Sequence, residues 1–166
     1  MDVLALRSAR PDDAAAIAAI YNRAIAERQA TFETRPRAPA EVEGWIGGDL
    51  PLIVAERNGA LAGFARVTPY SDRCVYAGVG EHGVYVDPFA RGDGVGRALL
   101  LELCARAERR GLYKLTSKVF ADNGASRALH RACGFREVGV QRRHGRLDGA
   151  WRDCVLVERL LGDAAG

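Results

Sequence analysis

The sequence predicts one α/β domain with a mixed, mostly antiparallel central sheet of about seven strands flanked by about four helices. Three observations predict it. Strand-like and helix-like hydrophobic periods alternate along all 166 residues. Asn58-Gly59 and Asp148-Gly149 stand between strand-like runs, as tight antiparallel hairpins require. No internal repeat or low-complexity linker divides the chain, so residues 1–166 read as a single domain with one hydrophobic core.

Leu4 to Arg7 reads as the first strand. Pro11-Asp12-Asp13 then opens a helix, with proline in a tolerated first-turn position and acids at the positive end of the dipole. Ile17, Ile20, Tyr21, Ala24 and Ile25 continue it at helical spacing. A loop over residues 30–36 leads to a short helix carrying Val42, Trp45 and Ile46. Leu52 to Glu56 and Leu61 to Thr68 are strands on either side of Asn58-Gly59, where both turn positions tolerate positive φ. After a loop from Pro69 to Gly80, Glu81 to Val86 is a strand. Gly94 to Arg110 is a helix: Leu99, Leu100, Leu103, Cys104 and Ala107 share one face, and Arg106, Arg109 and Arg110 suit its negative end before Gly111. Lys114 to Phe120 is a strand and Ser126 to Cys133 a short helix stopped by Gly134. Arg136 to Arg143 and Trp151 to Leu160 form a closing hairpin.

Composition narrows the function classes. Apolar residues make up 48% and charged residues 27%, an ordinary globular balance. No run is long enough to span a membrane, and no cationic segment followed by an apolar one opens the chain, which predicts a cytoplasmic protein that does not engage membranes. The net charge is +3, but the basic residues are scattered among acids; all are arginine apart from Lys114 and Lys118, which argues against a nucleic-acid surface. Cys74, Cys104, Cys133 and Cys154 include no pair at metal-ligand spacing and the three histidines add no cluster, so no metal is expected. The cysteines read as reduced, packed residues.

The informative segment runs from Val84 to Leu100. A strand ends, a short loop turns, and Gly92, Gly94 and Gly96 lead straight into a helix. Glycines let the backbone approach a ligand, and a helix start offers unpaired N–H groups and a positive dipole end. Arg91 and Arg97 flank the loop with positive charge, so the segment suits a diphosphate. The nucleoside-triphosphate loop would need Lys-Ser/Thr after Gly96, where Arg97-Ala98 stands. The dinucleotide fingerprint would need Gly-x-Gly-x-x-Gly and a later acid, which residues 114–120 lack.

Arg91-Gly92-Asp93-Gly94-Val95-Gly96 resembles the coenzyme-A loop of the Gcn5-related N-acetyltransferases, Arg/Gln-x-x-Gly-x-Gly/Ala. Asn123, Ser126, Leu129, His130 and Gly134-Phe135 match that superfamily's second motif in order and separation. Residues 30–33, Glu81 before Val84-Tyr85-Val86, Leu129-His130 and residues 148–153 look like the phosphinothricin acetyltransferase group, with relatives acting on methionine sulfone, methionine sulfoximine and arsinothricin. Residues 142–149 lean toward the arsinothricin relatives.

The resemblance implies acetyl transfer from acetyl-CoA to the α-amino group of a small amino-acid analogue such as arsinothricin or phosphinothricin. It implies cofactor binding by Val84, Tyr85, Val86, Arg91, Gly92, Asp93, Gly94, Val95, Gly96, Arg97, Asn123 and Ser126, with a strand N–H in the Val84–Val86 segment polarising the acetyl carbonyl. Glu81 is the candidate base, directly or through water, because a carboxylate in a closed pocket can have its pKa raised to a useful value. His130 stands where many members carry the tyrosine that protonates the leaving thiolate; it either donates that proton, orients the acceptor, or is a satisfied buried histidine. His82 and His144 read as surface or loop residues. Arg73 is the expected partner of the acceptor's acid groups, with Phe32, Tyr70 and Tyr76 completing the pocket. The Arg73 loop can cross a dimer interface in the resembled group, which implies a homodimer. Gly83 reads as a loosened strand or bulge, and Gly124 as a weak helix start. The alternatives are a protein N-terminal acetyltransferase and a non-catalytic acetyl-CoA sensor.

Overall fold

The computed structural model describes residues 3–166. Seven strands form one sheet in the order β1-β2-β3-β4-β5-β7-β6. They are β1 (Leu4–Ser8), β2 (Leu52–Arg57), β3 (Ala60–Pro69), β4 (Val79–Val86), β5 (Lys114–Phe120), β6 (Arg136–Leu147) and β7 (Ala150–Leu160). The helices are α1 (Ala14–Glu27), entered through a 3-10 turn at Pro11–Asp13, then α2 (Pro39–Glu43), α3 (Val95–Arg109) and α4 (Gly124–Ala132). The predicted fold class therefore holds, including its mostly antiparallel character: β4 and β5 pair in parallel and the other five pairings are antiparallel.

Helices cover both faces because the central strands are apolar on both. In β2, Ile53 packs toward Leu99, Leu100 and Leu103 of α3, while Val54 packs toward Ile17, Ile20 and Val42 of α1 and α2. Both predicted hairpins form with the conformation their dipeptides favour: Asn58 and Gly59 have φ of 52° and 78°, Asp148 and Gly149 of 50° and 81°. Cys104 and Cys133 are buried, and burial pushes the Cys104 thiol up to about 11, the behaviour of a packed hydrophobe rather than a nucleophile.

Three local readings are corrected. Trp45 and Ile46 lie beyond α2, because the chain closes that helix at Gly44 and turns through Gly47 at φ 82°. β6 continues past Arg143 to Leu147 through a wide bulge between Gln141 and Gly145, with Arg143 at φ 49° and its N–H held by the Asp153 carboxylate at 2.7 Å. Gly83 is no bulge: it stays in register with Arg66, and the Tyr85 ring fills the place of its missing side chain, 2.9 Å from where a Cβ would stand.

The feature that positions the site is a split in the sheet. β4 and β5 pair only from Val79–Lys114 to Glu81–Thr116 and then separate, β4 staying with β3 and β5 with β7. Gly63 on β3 lets β4 run close beside it, since a Cβ there would come within 2.7 Å of the Tyr85 carbonyl and 3.0 Å of Leu99. Gly63→Ala is expected to cost about 1–3 kcal/mol of stability, because backbone must shift to relieve the contact; urea unfolding of the two proteins checks this, and an unchanged midpoint would refute it.

Candidate active site

Two cavities, of about 420 and 440 Å³, open along the split. They share Gln29, Ala30, Val84, Tyr85, Asn123, Ser126 and Leu129, so they form one groove that passes from one side of the sheet to the other. The hydroxyl of Ser117 donates to the His82 carbonyl at 2.9 Å, where the split begins. By the two-residue alternation of strand polar groups, Val84 turns its N–H and C=O to the same gap.

The first cavity ends at the start of α3. Gly92 and Gly94 take φ of 83° and 81°, a conformation costly for other residues, and wrap the loop so that the first amides of α3 point outward. The first helical rung is Ala98 N–H to Gly94 carbonyl at 3.0 Å, which leaves the amides of Val95, Gly96 and Arg97 without a helical acceptor. A Cβ on Gly96 would meet only Leu129 and Val86, at 3.4 and 3.5 Å, so this glycine keeps the groove floor low. These features fit an anionic diphosphate and a narrow arm behind it.

The expected charges of this loop are partly corrected. Arg91 lines the cavity, but its guanidinium grips Glu27 at 2.7 and 2.6 Å and holds the carboxyl below the usual carboxylate range. Arg91 thus ties α1 to the loop, and the cation there in no ion pair with any of the described residues is Arg97. Asp93 does not line the cavity; it turns to Arg57 at 3.0 Å. Asn123 lines both cavities and joins two elements: its side-chain oxygen caps α4 at Ser126 N–H (3.1 Å) and its amide donates to the Gln29 carbonyl (2.9 Å). That cap overcomes the weak helix propensity of Gly124, with which α4 begins.

The second cavity holds the titratable groups. Glu81 is half-buried where the split opens, and His130 projects into it from α4. His82, expected at the surface, is buried beside it, with the two Nε2 atoms 3.0 Å apart and Phe135 packed against both rings. His130 Nδ1 lies 2.8 Å from the Ser126 carbonyl, which can only accept, so Nδ1 carries the His130 proton. The proton between the rings therefore belongs to His82 Nε2, and His82 Nδ1 is left buried with no hydrogen-bond partner among the described residues. Burial pulls His82 down to about 3, helped by His130 and opposed weakly by the nearby Thr116 backbone; burial also lowers His130. Both rings are neutral near pH 7.

Phe32 reaches this cavity, edge-on to Phe120 at 4.8 Å and flat against Gly145, where a Cβ would come within 2.8 Å of its ring. Arg73, Tyr70 and Tyr76 do not line it in the single chain. They form an exposed group before β4, with Arg73 5.9 Å over the Tyr76 ring and Tyr70 edge-on to Tyr76 at 5.9 Å. Sequence reasoning missed Lys118, Phe120 and His144, which do line it. A signal for Lys118 was present: it is one of two lysines in a chain that otherwise uses arginine, and the other, Lys114, is bound to Glu158 at 2.6 Å.

Comparison with known proteins agrees with this geometry. The profile of the Acetyltransferase (GNAT) family matches residues 17–135. A phosphinothricin N-acetyltransferase of Alcaligenes faecalis is 41% identical over 161 residues, 94% of this chain and 82% of that protein. The L-methionine sulfoximine/L-methionine sulfone acetyltransferase of Salmonella typhimurium is 30% identical over 98% of this chain and 97% of its own. A crystal structure of a GNAT superfamily phosphinothricin acetyltransferase from Sinorhizobium meliloti in complex with acetyl-CoA superposes with a TM-score of 0.91, at 33% identity, covering 97% of this chain and 90% of that one.

Proposed function

The chain belongs to the acetyltransferase (GNAT) family, and from that premise we propose that it moves the acetyl group of acetyl-CoA to the α-amino group of a small amino-acid analogue of the phosphinothricin or arsinothricin type, inactivating a toxic compound. The observation that carries this reading is the single groove through the β4–β5 split, with an anion-binding helix start at one end and Glu81 at the other.

The residues divide the work along that groove. The amides of Val95, Gly96 and Arg97, with the Arg97 guanidinium, hold the diphosphate. Val84 offers its N–H to the acetyl carbonyl oxygen, where negative charge grows as the amine attacks. Glu81, directly or through a water, accepts the ammonium proton; the freed amine bonds to the carbonyl carbon, the carbon–sulfur bond breaks, and the nitrogen's second proton passes to the leaving thiolate, which gives the amide and the free thiol. Phe32 and Phe120 wall the acceptor side and keep it small, which disfavours an extended peptide. The exposed Arg73 group would serve across a homodimer interface, where a partner copy could bring it to the acceptor.

Thiol release from acetyl-CoA, measured with phosphinothricin, arsinothricin, methionine sulfoximine, methionine sulfone and a peptide in turn, tests the proposal. Turnover with one or more of the four amino-acid analogues and none with the peptide is expected. Peptide turnover alone, or acetyl-CoA binding with no turnover of any acceptor, would overturn it.

A further inference from the structure

We propose that Lys118 binds the α-carboxylate of the acceptor, so that Glu81 and Lys118 together recognise the zwitterionic head of an amino acid. This rests on the reading of the groove as an amino-acid acetyltransferase site. The argument begins with strand alternation. On β5, Ser117 reaches across the split to His82, and Val119 is buried in the core beneath α3 and α4. Lys118 and Phe120 therefore face the opposite side of the sheet. On β4, His82 packs toward α4, so Glu81 faces that same opposite side. Both Lys118 and Glu81 line the second cavity.

Their spacing suits a ligand between them. Glu81 pairs with Thr116, and Lys118 stands two residues farther on, past the point where the strands part, so their backbones lie at least about 8 Å apart from the usual strand rise and spacing. Among the described residues neither side chain is in an ion pair, with the other or with any third group, whereas Arg91 and Glu27, at the other end of the groove, are paired with each other. A lone carboxylate and a lone ammonium facing one small cavity are the complement of an ammonium and a carboxylate carried on a single carbon. Each charge of the amino acid meets its opposite, and the amine is delivered to the side of the cavity where Glu81 can take its proton. The acid at the far end of the acceptor is left for other groups, which separates this role from that of Arg73.

The test compares phosphinothricin, or the analogue that turns over fastest, with its decarboxylated counterpart, which keeps the amine and the distal acid. KM, or the competitive Ki, is measured for each in wild type, Lys118→Met and Lys118→Arg. Lys118→Met is expected to raise KM for the amino acid about 10- to 100-fold, the loss of one charge-assisted contact. KM for acetyl-CoA and for the decarboxylated compound should stay within about twofold, and Lys118→Arg should recover most of the loss. Equal penalties on both acceptors, or none on the amino acid, would overturn the assignment while leaving the acetyltransferase reading intact. If the wild type turns over no amino-acid analogue, the underlying reading fails and this inference with it. Lys118 is exposed, so thermal melting of the variants should match wild type.

Discussion

Glu81→Gln is expected to lower kcat by about 10²- to 10⁴-fold at saturating acceptor, with KM for acetyl-CoA unchanged. Glutamine keeps the size and hydrogen-bonding reach of glutamate but cannot take a proton at neutral pH. Amino-acid amines are protonated there, so attack waits on deprotonation. Among the described residues Glu81 is the one carboxylate lining the second cavity, half-buried at the point where β4 and β5 part. The cofactor loop lies at the other end of the groove and contacts none of the changed atoms, so acetyl-CoA binding should be indifferent. Steady-state kinetics with both substrates varied decides the matter. A kcat within threefold of wild type would remove Glu81 from proton transfer and leave the base to be sought elsewhere in the cavity.

The buried histidine pair leads to the second large effect. His82→Leu and His130→Leu should each destabilise the protein by about 2–4 kcal/mol, since each loses a hydrogen bond and strands a polar atom of the surviving ring. The double replacement should cost clearly less than the sum, because it strands nothing at the shared contact. Urea unfolding of the four proteins measures this coupling; strict additivity would show that the 3.0 Å contact carries no energy.

The same pair makes stability depend on pH. His82 is pulled from 6.5 to about 3 in the folded protein. Between those values the unfolded chain holds a proton that the folded chain refuses, so stability is full above about pH 6.5 and falls as pH drops toward 3, by about 1.4 kcal/mol per pH unit. Carboxylates held low by partners, such as Asp13 beside Arg7 and Glu158 beside Lys114, add a loss of the same sign below the usual carboxylate range. The window from pH 6.5 to 5 therefore isolates the histidines. A reduced slope in His82→Leu is expected, leaving only what buried His130 contributes; a wild-type stability flat across that window would refute the buried neutral pair.

Much of the site was legible before folding was considered. Gly92, Gly94 and Gly96 before an apolar helical stripe already located the glycine turn and the helix start that line the first cavity, because positive φ and the free amides of a helix start are properties of a few adjacent residues. Glu81, His130 and Phe32 were each named from the sequence and do meet in one cavity. His82 was misread because an alternating strand suggests one wet face, whereas β4 is central and covered on both faces. The rarity of lysine marks Lys118 in the sequence, but nothing local tells that it faces a cavity rather than solvent. The Arg91–Glu27 pair joins residues 64 positions apart and has no sequence signal at all.

The sequence by itself determined the strand and helix order, the two hairpin turns and the glycine turn that opens α3. Each of these follows from backbone dihedral preferences and hydrophobic periods acting over a few residues. Only the tertiary structure decided which charges are matched, which histidines are dry, and which side chains face the second cavity across the split sheet. Those outcomes depend on what covers each face of β4 and β5, and that covering is supplied by α1 on one face and by α3 and α4, far along the chain, on the other.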